Sequence, residues 1–280
     1  MGTKIAIMYD FDKTLCTKDM QEYGFIDKLG MKSEEFWGEV DTFAKENEMC
    51  GILTYMYLML KKSREKSQSI RRGDFVKLGE KIEFFDGVID WFDRITKYGK
   101  DSGVEIEHYI ISSGVKEIIE GSKIADKFKK IYACEFLYDE NSVAVWAKLA
   151  VNYTAKTQFL FRINKGVLDV WDNKQINNFV LEDQREVPFR NMIYIGDGLT
   201  DVPCMKLVKM NGGQSIVVYP PNTDGAEEKA AKLFDDDRVS YVEKADYSEN
   251  GDLDLLVKDI IDKMVATDKL VERQIKQKKS

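Results

Sequence analysis

The chain has 280 residues, of which 44% are hydrophobic, and its formal net charge is −7. This length and composition allow a substantial buried core, either in one large domain with an insertion or in two domains. The acidic balance argues against a nucleic-acid-binding protein, and the absence of an apolar run of about 18 residues argues against a membrane span.

The start of the chain and its cysteines predict an intracellular protein. The sequence begins directly with a short strand-like segment and has no signal-peptide apolar region, so we expect no secretion. Cys16, Cys50, Cys134 and Cys204 are too scattered for a zinc-type pair, and we expect reduced, structural thiols. These features together predict a cytoplasmic location.

The first predicted element ends in a pair of carboxylates. Residues 4–9 form an apolar run that predicts a buried strand, and Asp10-Phe-Asp-Lys-Thr-Leu15 follows it directly. Ligands of open α/β sheets bind where strands end. Two Asp residues at this spacing suit phosphoryl transfer, because one carboxylate can attack phosphorus while the other moves a proton. Taken alone, however, the segment is better explained as a polar turn.

The next region, residues 17–85, is predicted to be helical. Its apolar residues recur at helical spacing, and no convincing strand interrupts them. They form two groups: Phe36, Trp37, Val40 and Phe43, then Ile52, Tyr55, Met56 and Met59. A further helix from Val88 to Tyr98 would lead back into the sheet.

Two later strands also end in small or acidic polar residues. Residues 104–111 predict a strand followed by Ser112-Ser113-Gly114, and residues 191–195 predict a strand followed by Gly196-Asp-Gly-Leu-Thr-Asp201. Between them, Lys156 opens a helical stretch. Polar groups from distant parts of the chain are therefore expected at the ends of neighbouring strands.

Three further segments complete the prediction. Alternating and aromatic residues over 131–152 predict a β-hairpin that turns at residues 139–142. Residues 213–219 predict another strand, and residues 253–279 predict a C-terminal helix.

In this order, the Asp10 motif, the serine pair, Lys156 and the Asp197 motif resemble the haloacid dehalogenase superfamily of phosphohydrolases, in its phosphoserine-phosphatase-like branch. Four ordered motifs over roughly residues 3–220 are far more specific than any one of them. The resemblance makes Asp12 important, because the members that cleave carbon–halogen bonds lack an Asp at this position. Dehalogenation is therefore not expected.

The resemblance implies an α/β fold with a doubly wound, mainly parallel, Rossmann-like sheet. This core would comprise residues 1–16 and 86–280, and residues 17–85 would form a helical cap that closes over the active site. The predicted β-hairpin would be a second, smaller insertion. The alternative for residues 17–85 is a helical bundle that packs on the sheet without a gating role.

The resemblance also assigns roles to the acidic residues. Asp10 would be the nucleophile and Asp12 the general acid and base. Mg²⁺ would be held by the Asp10 side chain, the Asp12 backbone carbonyl and the Asp197 side chain, and Asp201 would orient a water ligand from the second layer.

Further residues would bind the phosphoryl group. Ser112 corresponds to the hydroxyl that binds a phosphoryl oxygen, with Gly114 nearby, although Ser113 takes this role if the strand ends one residue later. Lys156 corresponds to the charge-balancing ammonium. Lys148 and Lys165 are the alternatives if the third motif is misplaced.

The substrate is less constrained. In phosphoserine phosphatases a glutamate nine residues after the nucleophile binds the substrate ammonium, and this chain has Asp19 there. The cap arginine that binds the substrate carboxylate has no counterpart in residues 53–60, so phosphoserine is expected to be a poor substrate. Tyr55 and Tyr57 are candidates to face the leaving group, with helix-core packing as the alternative.

The sequence therefore predicts a Mg²⁺-dependent phosphomonoesterase that hydrolyses a small phosphorylated metabolite through an aspartyl-phosphate. A 5′-nucleotidase, a phosphoserine phosphatase and a phosphotransferase on the same fold are the alternatives. A non-catalytic binding protein is disfavoured by the intact acidic residues. The expected partner is a small-molecule phosphomonoester, and the sequence assigns no oligomeric state.

Overall fold

A computed structural model describes residues 3–279 and contains one seven-stranded sheet flanked by helices. The strands lie in the order β4-β3-β2-β1-β5-β6-β7, and every neighbouring pair is parallel except β3 with β4. The predicted α/β fold with a mainly parallel sheet is confirmed. The strands are β1 (Lys4–Tyr9), β2 (Glu105–Val115), β3 (Lys130–Tyr138), β4 (Ala144–Leu149), β5 (Met192–Gly196), β6 (Gln214–Tyr219) and β7 (Tyr241–Lys244).

The helices connect these strands and cover the sheet. Within residues 3–279, none of them combines the length and the hydrophobicity of a membrane span. They are α1 (Phe25–Lys28), α2 (Ser33–Glu46), α3 (Gly51–Glu65), α4 (Arg72–Gly79), α5 (Val88–Asp101), α6 (Lys116–Glu120), α7 (Thr157–Lys165), α8 (Asn173–Ile176), α9 (Val202–Met210), α10 (Ala226–Asp235) and α11 (Asp252–Lys279).

Strand β1 lies at the centre of the sheet because it is apolar on both faces. All of its residues from Ile5 to Tyr9 are fully buried, as expected for a parallel strand covered on both sides. Tyr9 pairs with Ile110 of β2 and with Ile195 of β5. The residues that follow these three strands therefore meet at one edge of the sheet.

Strand β2 continues beyond its predicted end at Ile111. Val115 still pairs with Cys134 of β3, after a register shift that begins at Ile111. Strand β3 still offers backbone partners beyond this point, so the intervening Ser112-Ser113-Gly114 segment stays within an irregular strand. Gly114 packs closely against the side chain of Met20, since a Cβ atom at this position would lie 2.1 Å from Met20 Cε.

The predicted β-hairpin is present, with β3 and β4 antiparallel. Its turn depends on Asp139, whose Oδ1 accepts hydrogen bonds of 2.9 Å from the backbone N–H groups of Asn141 and Val143. Strand β3 also belongs to the main sheet, so only β4 is added at the edge.

The segment between β1 and α5 contains helices α1 to α4 and no strand among its described residues. Its two ends lie side by side. Thr17 donates a backbone hydrogen bond of 3.0 Å to Glu83, and Phe85 donates one of 3.1 Å to Leu15. Residues 17–84 therefore leave and re-enter the sheet domain at one place, as an insertion must.

Candidate active site

Three carboxylates converge at the carboxyl edge of the central strands. Side-chain oxygen atoms of Asp10, Asp197 and Asp201 all lie within 4.8 Å of one another. The strand register brings them together, since Tyr9 is level with Ile195 and the Asp10 N–H donates a 2.9 Å hydrogen bond to the Ile195 carbonyl. Asp10 and Asp201 are buried.

A buried lysine joins two of these carboxylates. Lys156 has no exposed surface, and its Nζ lies 3.0 Å from Asp10 Oδ1 and 2.7 Å from Asp201 Oδ1. Lys156 ends a short 3-10 turn at residues 154–156, directly before α7, and the turn directs its side chain inward. Of the three lysines considered from the sequence, this is the one placed at the carboxylates. Lys148 pairs with Glu135, and Lys165 donates to backbone carbonyls.

Tyr194 is a site residue that the sequence analysis missed. Its hydroxyl donates a 2.8 Å hydrogen bond to Asp201 Oδ1, the same oxygen that Lys156 contacts. A tyrosine inside a buried strand is ordinarily a core residue, so nothing in its local sequence points to this contact. The Asp201 carboxylate is thus held by an ion pair with Lys156 and by a hydrogen bond from the Tyr194 hydroxyl.

Burial and mutual repulsion disfavour the ionised carboxylates. Burial, with the neighbouring Asp201, raises the pKa of Asp10 to about 7, although Lys156 opposes the shift. Burial, with Asp201 and Asp10, also raises the pKa of Asp197 well above its usual range. Burial alone would lower the pKa of Lys156, but Asp10 and Asp201 outweigh it and raise that pKa. One ammonium therefore does not neutralise the cluster.

The cluster has the properties of a divalent-cation site. Apart from its ion pair with Lys156, Asp10 Oδ1 has no hydrogen-bond partner, and Asp201 Oδ2 has none among the described residues, although both atoms are buried. Gly196 is packed against this second oxygen, since a Cβ atom there would lie 2.5 Å from it. Hard carboxylate oxygens in excess of positive charge fit Mg²⁺.

Asp12 is half-buried beside these residues. Its Oδ1 accepts a 3.0 Å hydrogen bond from the Met20 N–H. Burial, followed by the charges of Asp19 and Asp10, raises the pKa of Asp12 well above its usual range. A carboxyl group with a raised pKa holds its proton to a higher pH than usual, which suits a general acid.

The two serines differ in their surroundings. Ser112 is buried, and its Oγ accepts a 3.0 Å hydrogen bond from the Gly114 N–H. The Oγ of Ser113 is also buried but has no partner among the described residues, while the Ser113 carbonyl accepts a 2.8 Å hydrogen bond from the Tyr55 hydroxyl. Either hydroxyl is thus available to a phosphoryl oxygen, and the alternative between them stays open.

The three candidates for contact with the leaving group differ in burial and in their partners. Asp19 Oδ2 forms a 2.6 Å ion pair with Lys13 Nζ. Tyr55 is only 2% exposed and packs on Trp37, as the helix-core alternative expects, while its hydroxyl reaches the Ser113 carbonyl. Tyr57 is 40% exposed, with its ring centroid 5.5 Å from that of Phe43.

The mainly parallel α/β sheet thus gathers acidic side chains and a buried lysine at its carboxyl edge, where ligands of open α/β sheets bind. Residues 7–206 match the model of the haloacid dehalogenase-like hydrolases. The chain belongs to this family. The predicted membership of the haloacid dehalogenase superfamily is confirmed by this match.

One relative is similar over nearly its whole length. An uncharacterized protein of Borreliella burgdorferi is 32% identical over 277 residues, which cover 89% of this chain and 93% of the relative. The sequence similarity to this relative therefore extends beyond the four motifs, into the helical segment and the C-terminal region.

Solved structures share the fold at low sequence identity. A HAD family hydrolase of Salmonella enterica serovar Typhi has a TM-score of 0.58 at 14% identity, covering 90% of this chain and 69% of that chain. A substrate-bound phosphoserine phosphatase has a TM-score of 0.54 at 15% identity, covering 88% and 96%. Cytosolic 5′-nucleotidase IIIB bound to cytidine has a TM-score of 0.51 at 15% identity, covering 94% and 86%.

Proposed function

We propose that the protein is a Mg²⁺-dependent phosphomonoesterase that hydrolyses a small phosphorylated metabolite through an aspartyl-phosphate. The observation that carries this proposal is the buried Lys156, which lies 3.0 Å from Asp10 and 2.7 Å from Asp201. Family membership supports the class of reaction, and the arrangement of carboxylates supports its chemistry.

In this proposal Asp10 attacks the phosphorus atom. A bond forms between Asp10 and phosphorus while the bond to the leaving oxygen breaks, and Asp12 gives that oxygen its proton. Asp12, now a carboxylate, then takes a proton from the water that attacks the aspartyl-phosphate, which releases phosphate and restores Asp10. Lys156 balances negative charge on Asp10 and on the phosphoryl oxygens throughout.

Mg²⁺ would be held by the side chains of Asp10 and Asp197 and by the backbone carbonyl of Asp12, with Asp201 behind them. When bound, the ion reduces the repulsion between the anionic substrate and the carboxylates. Ser112 or Ser113, together with Gly114, would bind the phosphoryl oxygens from β2, which lies on the other side of β1 from β5. The raised pKa values of Asp10 and Asp197 support a cation here, because it would favour their ionised forms.

Residues 17–85 are proposed to be the cap that selects the leaving group. The paired ends of this segment and its contact with Ser113 through Tyr55 support this role. Phosphoserine is a less favoured substrate in our proposal. Asp19 has the position of the residue that would bind the substrate ammonium, but its carboxylate already forms an ion pair with Lys13. The cytoplasmic location stays a prediction.

Release of phosphate from p-nitrophenyl phosphate tests the proposal. We expect turnover with Mg²⁺, loss of turnover in excess chelator and recovery when Mg²⁺ is restored. Asp10→Asn should abolish turnover, whereas Asp259→Asn, a change at an exposed acid on α11, should leave it unchanged. Full activity in chelator, or in Asp10→Asn, contradicts the proposal. Competition by alcohols for the phosphoryl group separates a phosphotransferase from a hydrolase.

A further inference from the structure

A tyrosine from the C-terminal part of the chain contacts the loop that carries Asp10 and Asp12. Residues 245–251 connect β7 to α11 and follow the part of the chain that matches the family model, residues 7–206. Tyr247 lies in this connection and is fully buried, and its hydroxyl donates a 2.8 Å hydrogen bond to the backbone carbonyl of Thr14. Thr14 follows Asp12 by two residues, so the bond acts on the loop of residues 10–15.

This loop has a backbone conformation that needs support from its surroundings. Lys13 has a φ of 56°, in the left-handed region that is unfavourable for residues with a side chain. Such a conformation persists only where other contacts hold it. Within the loop, the Leu15 N–H donates a 2.9 Å hydrogen bond to the Phe11 carbonyl. The bond from Tyr247 reaches Thr14, directly after Lys13, from outside the loop. Because Thr14 is fully buried, bulk water does not replace this donor.

Tyr247 is itself held firmly by the start of α5. Its N–H donates a 2.8 Å hydrogen bond to the Asp86 carbonyl, and its own carbonyl accepts a 2.5 Å hydrogen bond from the Arg94 guanidinium. The ring packs edge-on against Trp91, with a centroid distance of 5.1 Å. Gly87 also lies against its backbone, since a Cβ atom there would be 2.3 Å from the Tyr247 carbonyl carbon. A donor fixed in this way can hold the loop in one position.

We infer that Tyr247 is a positioning residue for the proposed reaction, because it fixes the backbone around Lys13 and thereby the side chain and the backbone carbonyl of Asp12. The inference rests on the proposed function, in which the Asp12 carboxyl group transfers a proton and the Asp12 carbonyl is a Mg²⁺ ligand. Tyr247 acts through Thr14 and not on the substrate. Burial raises the pKa of Tyr247 well above its usual range, so the hydroxyl keeps its proton and remains a donor.

Tyr247→Phe tests the inference, because it removes the hydroxyl and keeps the ring. Tyr132→Phe is the matched control. Tyr132 is 1% exposed, and its hydroxyl donates a hydrogen bond of the same length, 2.8 Å, to the carbonyl of Leu168, which lies between α7 and α8. Both variants therefore lose a buried hydrogen bond from a tyrosine to a backbone carbonyl, and we expect similar decreases in their urea midpoints.

Only Tyr247→Phe should affect the reaction site. At saturating Mg²⁺ we expect its kcat for p-nitrophenyl phosphate to fall by roughly 10- to 100-fold, with KM nearly unchanged. Titration calorimetry with Mg²⁺ and no substrate gives a readout that needs no turnover, and the variant should bind the ion about 10-fold more weakly than wild type does. Tyr132→Phe should keep the wild-type kcat and Mg²⁺ affinity. A wild-type kcat and affinity in Tyr247→Phe, or equal losses in both variants, overturns the inference while the phosphatase assignment stands.

A second variant decides the question if Tyr247→Phe does not fold. Arg94→Lys keeps a positive charge beside Asp254 but loses the guanidinium that reaches Asp254 and the Tyr247 carbonyl together. It should weaken Mg²⁺ binding in the same direction, and an unchanged affinity contradicts the inference. If the wild-type protein binds Mg²⁺ without hydrolysing p-nitrophenyl phosphate, the proposed function fails and calorimetry alone decides the role of Tyr247. If the wild-type protein binds no Mg²⁺, both proposals are contradicted.

Discussion

The hydroxyl of Tyr55 donates a 2.8 Å hydrogen bond to the backbone carbonyl of Ser113. Tyr55 belongs to α3 of the helical insertion, whereas Ser113 lies in the irregular end of β2 beside Asp10. Ser113 also accepts a weaker bond from Cys134 Sγ at 3.3 Å. The insertion is therefore attached directly to the segment that is proposed to bind the phosphoryl group.

Tyr55→Phe removes this attachment without opening a cavity. We expect the free energy of unfolding to fall by about 1 kcal/mol, the usual net value of a buried hydrogen bond. Urea unfolding monitored by circular dichroism measures the change. Tyr57→Phe is the control, because Tyr57 is 40% exposed, and it should shift stability by less than about 0.5 kcal/mol. Equal effects of the two changes would contradict a specific role for the Tyr55 contact.

Lys156→Met should be both inactive and unstable. It leaves Asp10 and Asp201 buried without a counter-charge, and the loss of one partner of a buried ion pair costs about 3–5 kcal/mol. Lys148→Met removes an exposed ion pair with Glu135 and should cost less than about 1 kcal/mol. Denaturant midpoints and turnover of both variants are to be compared. A stable, active Lys156→Met protein would exclude the charge-balancing role.

Gly196→Ala should impair turnover much more than Gly198→Ala. A Cβ atom at position 196 would lie 2.5 Å from Asp201 Oδ2, so the carboxylate must move, whereas a Cβ atom at position 198 would meet nothing within 4 Å. A displacement of about 1 Å near a reaction site costs roughly 100-fold in rate. Steady-state kinetics on p-nitrophenyl phosphate measure both variants. Similar rates would show that Asp201 tolerates displacement.

Asp12→Asn should lose activity in proportion to the basicity of the leaving group. The change keeps the nucleophile but removes proton transfer, which contributes ~10²–10⁴-fold. p-Nitrophenyl phosphate, which has a good leaving group, should therefore retain more activity than an alkyl phosphate. If both substrates lose activity equally, protonation of the leaving group is not the main role of Asp12.

His108, the single histidine of the chain, should make folding pH-dependent. Burial lowers the pKa of His108 from 6.5 to about 4, so between these values the unfolded chain binds the proton more tightly. The stability contributed by neutral His108 is complete above about pH 6.5 and decreases as pH falls toward 4, by about 3 kcal/mol in total.

The histidine contribution is isolated by comparing wild type with His108→Gln. Tyr9 and Thr96 each lie 3.0 Å from a ring nitrogen, and glutamine keeps a polar group between them. Urea unfolding between pH 7.5 and pH 4.5 should show that the difference between the two proteins shrinks as pH falls. A constant difference would mean that His108 titrates normally in the folded state.

Local patterns in the sequence predicted most of the strands, whereas the mainly parallel arrangement of the sheet and the roles of the acidic residues were implied by the family resemblance. The apolar run before Asp10 marks a strand buried on both faces, and the strands before Ser112 and Asp197 carry the same signal. Parallel pairing of these strands then places their ends together without further information. Lys156 was preferred to Lys148 and Lys165 because a lysine that opens a helical stretch matches the family's third motif.

Contacts that depend on three-dimensional packing could not be predicted. Tyr194 and Tyr55 both have the sequence context of core residues, and only the fold shows where their hydroxyl groups point. The extension of β2 through Val115 depends on the length of the neighbouring β3.

The position of β1 also has a consequence for synthesis on the ribosome. This strand is translated before both of its neighbours in the sheet, which begin at Glu105 and Met192. A growing chain therefore carries this buried, apolar strand with an open edge until β5 has been translated. Unpaired edges of this kind promote aggregation, so we expect truncated translation products to depend on chaperones, whereas the complete chain does not.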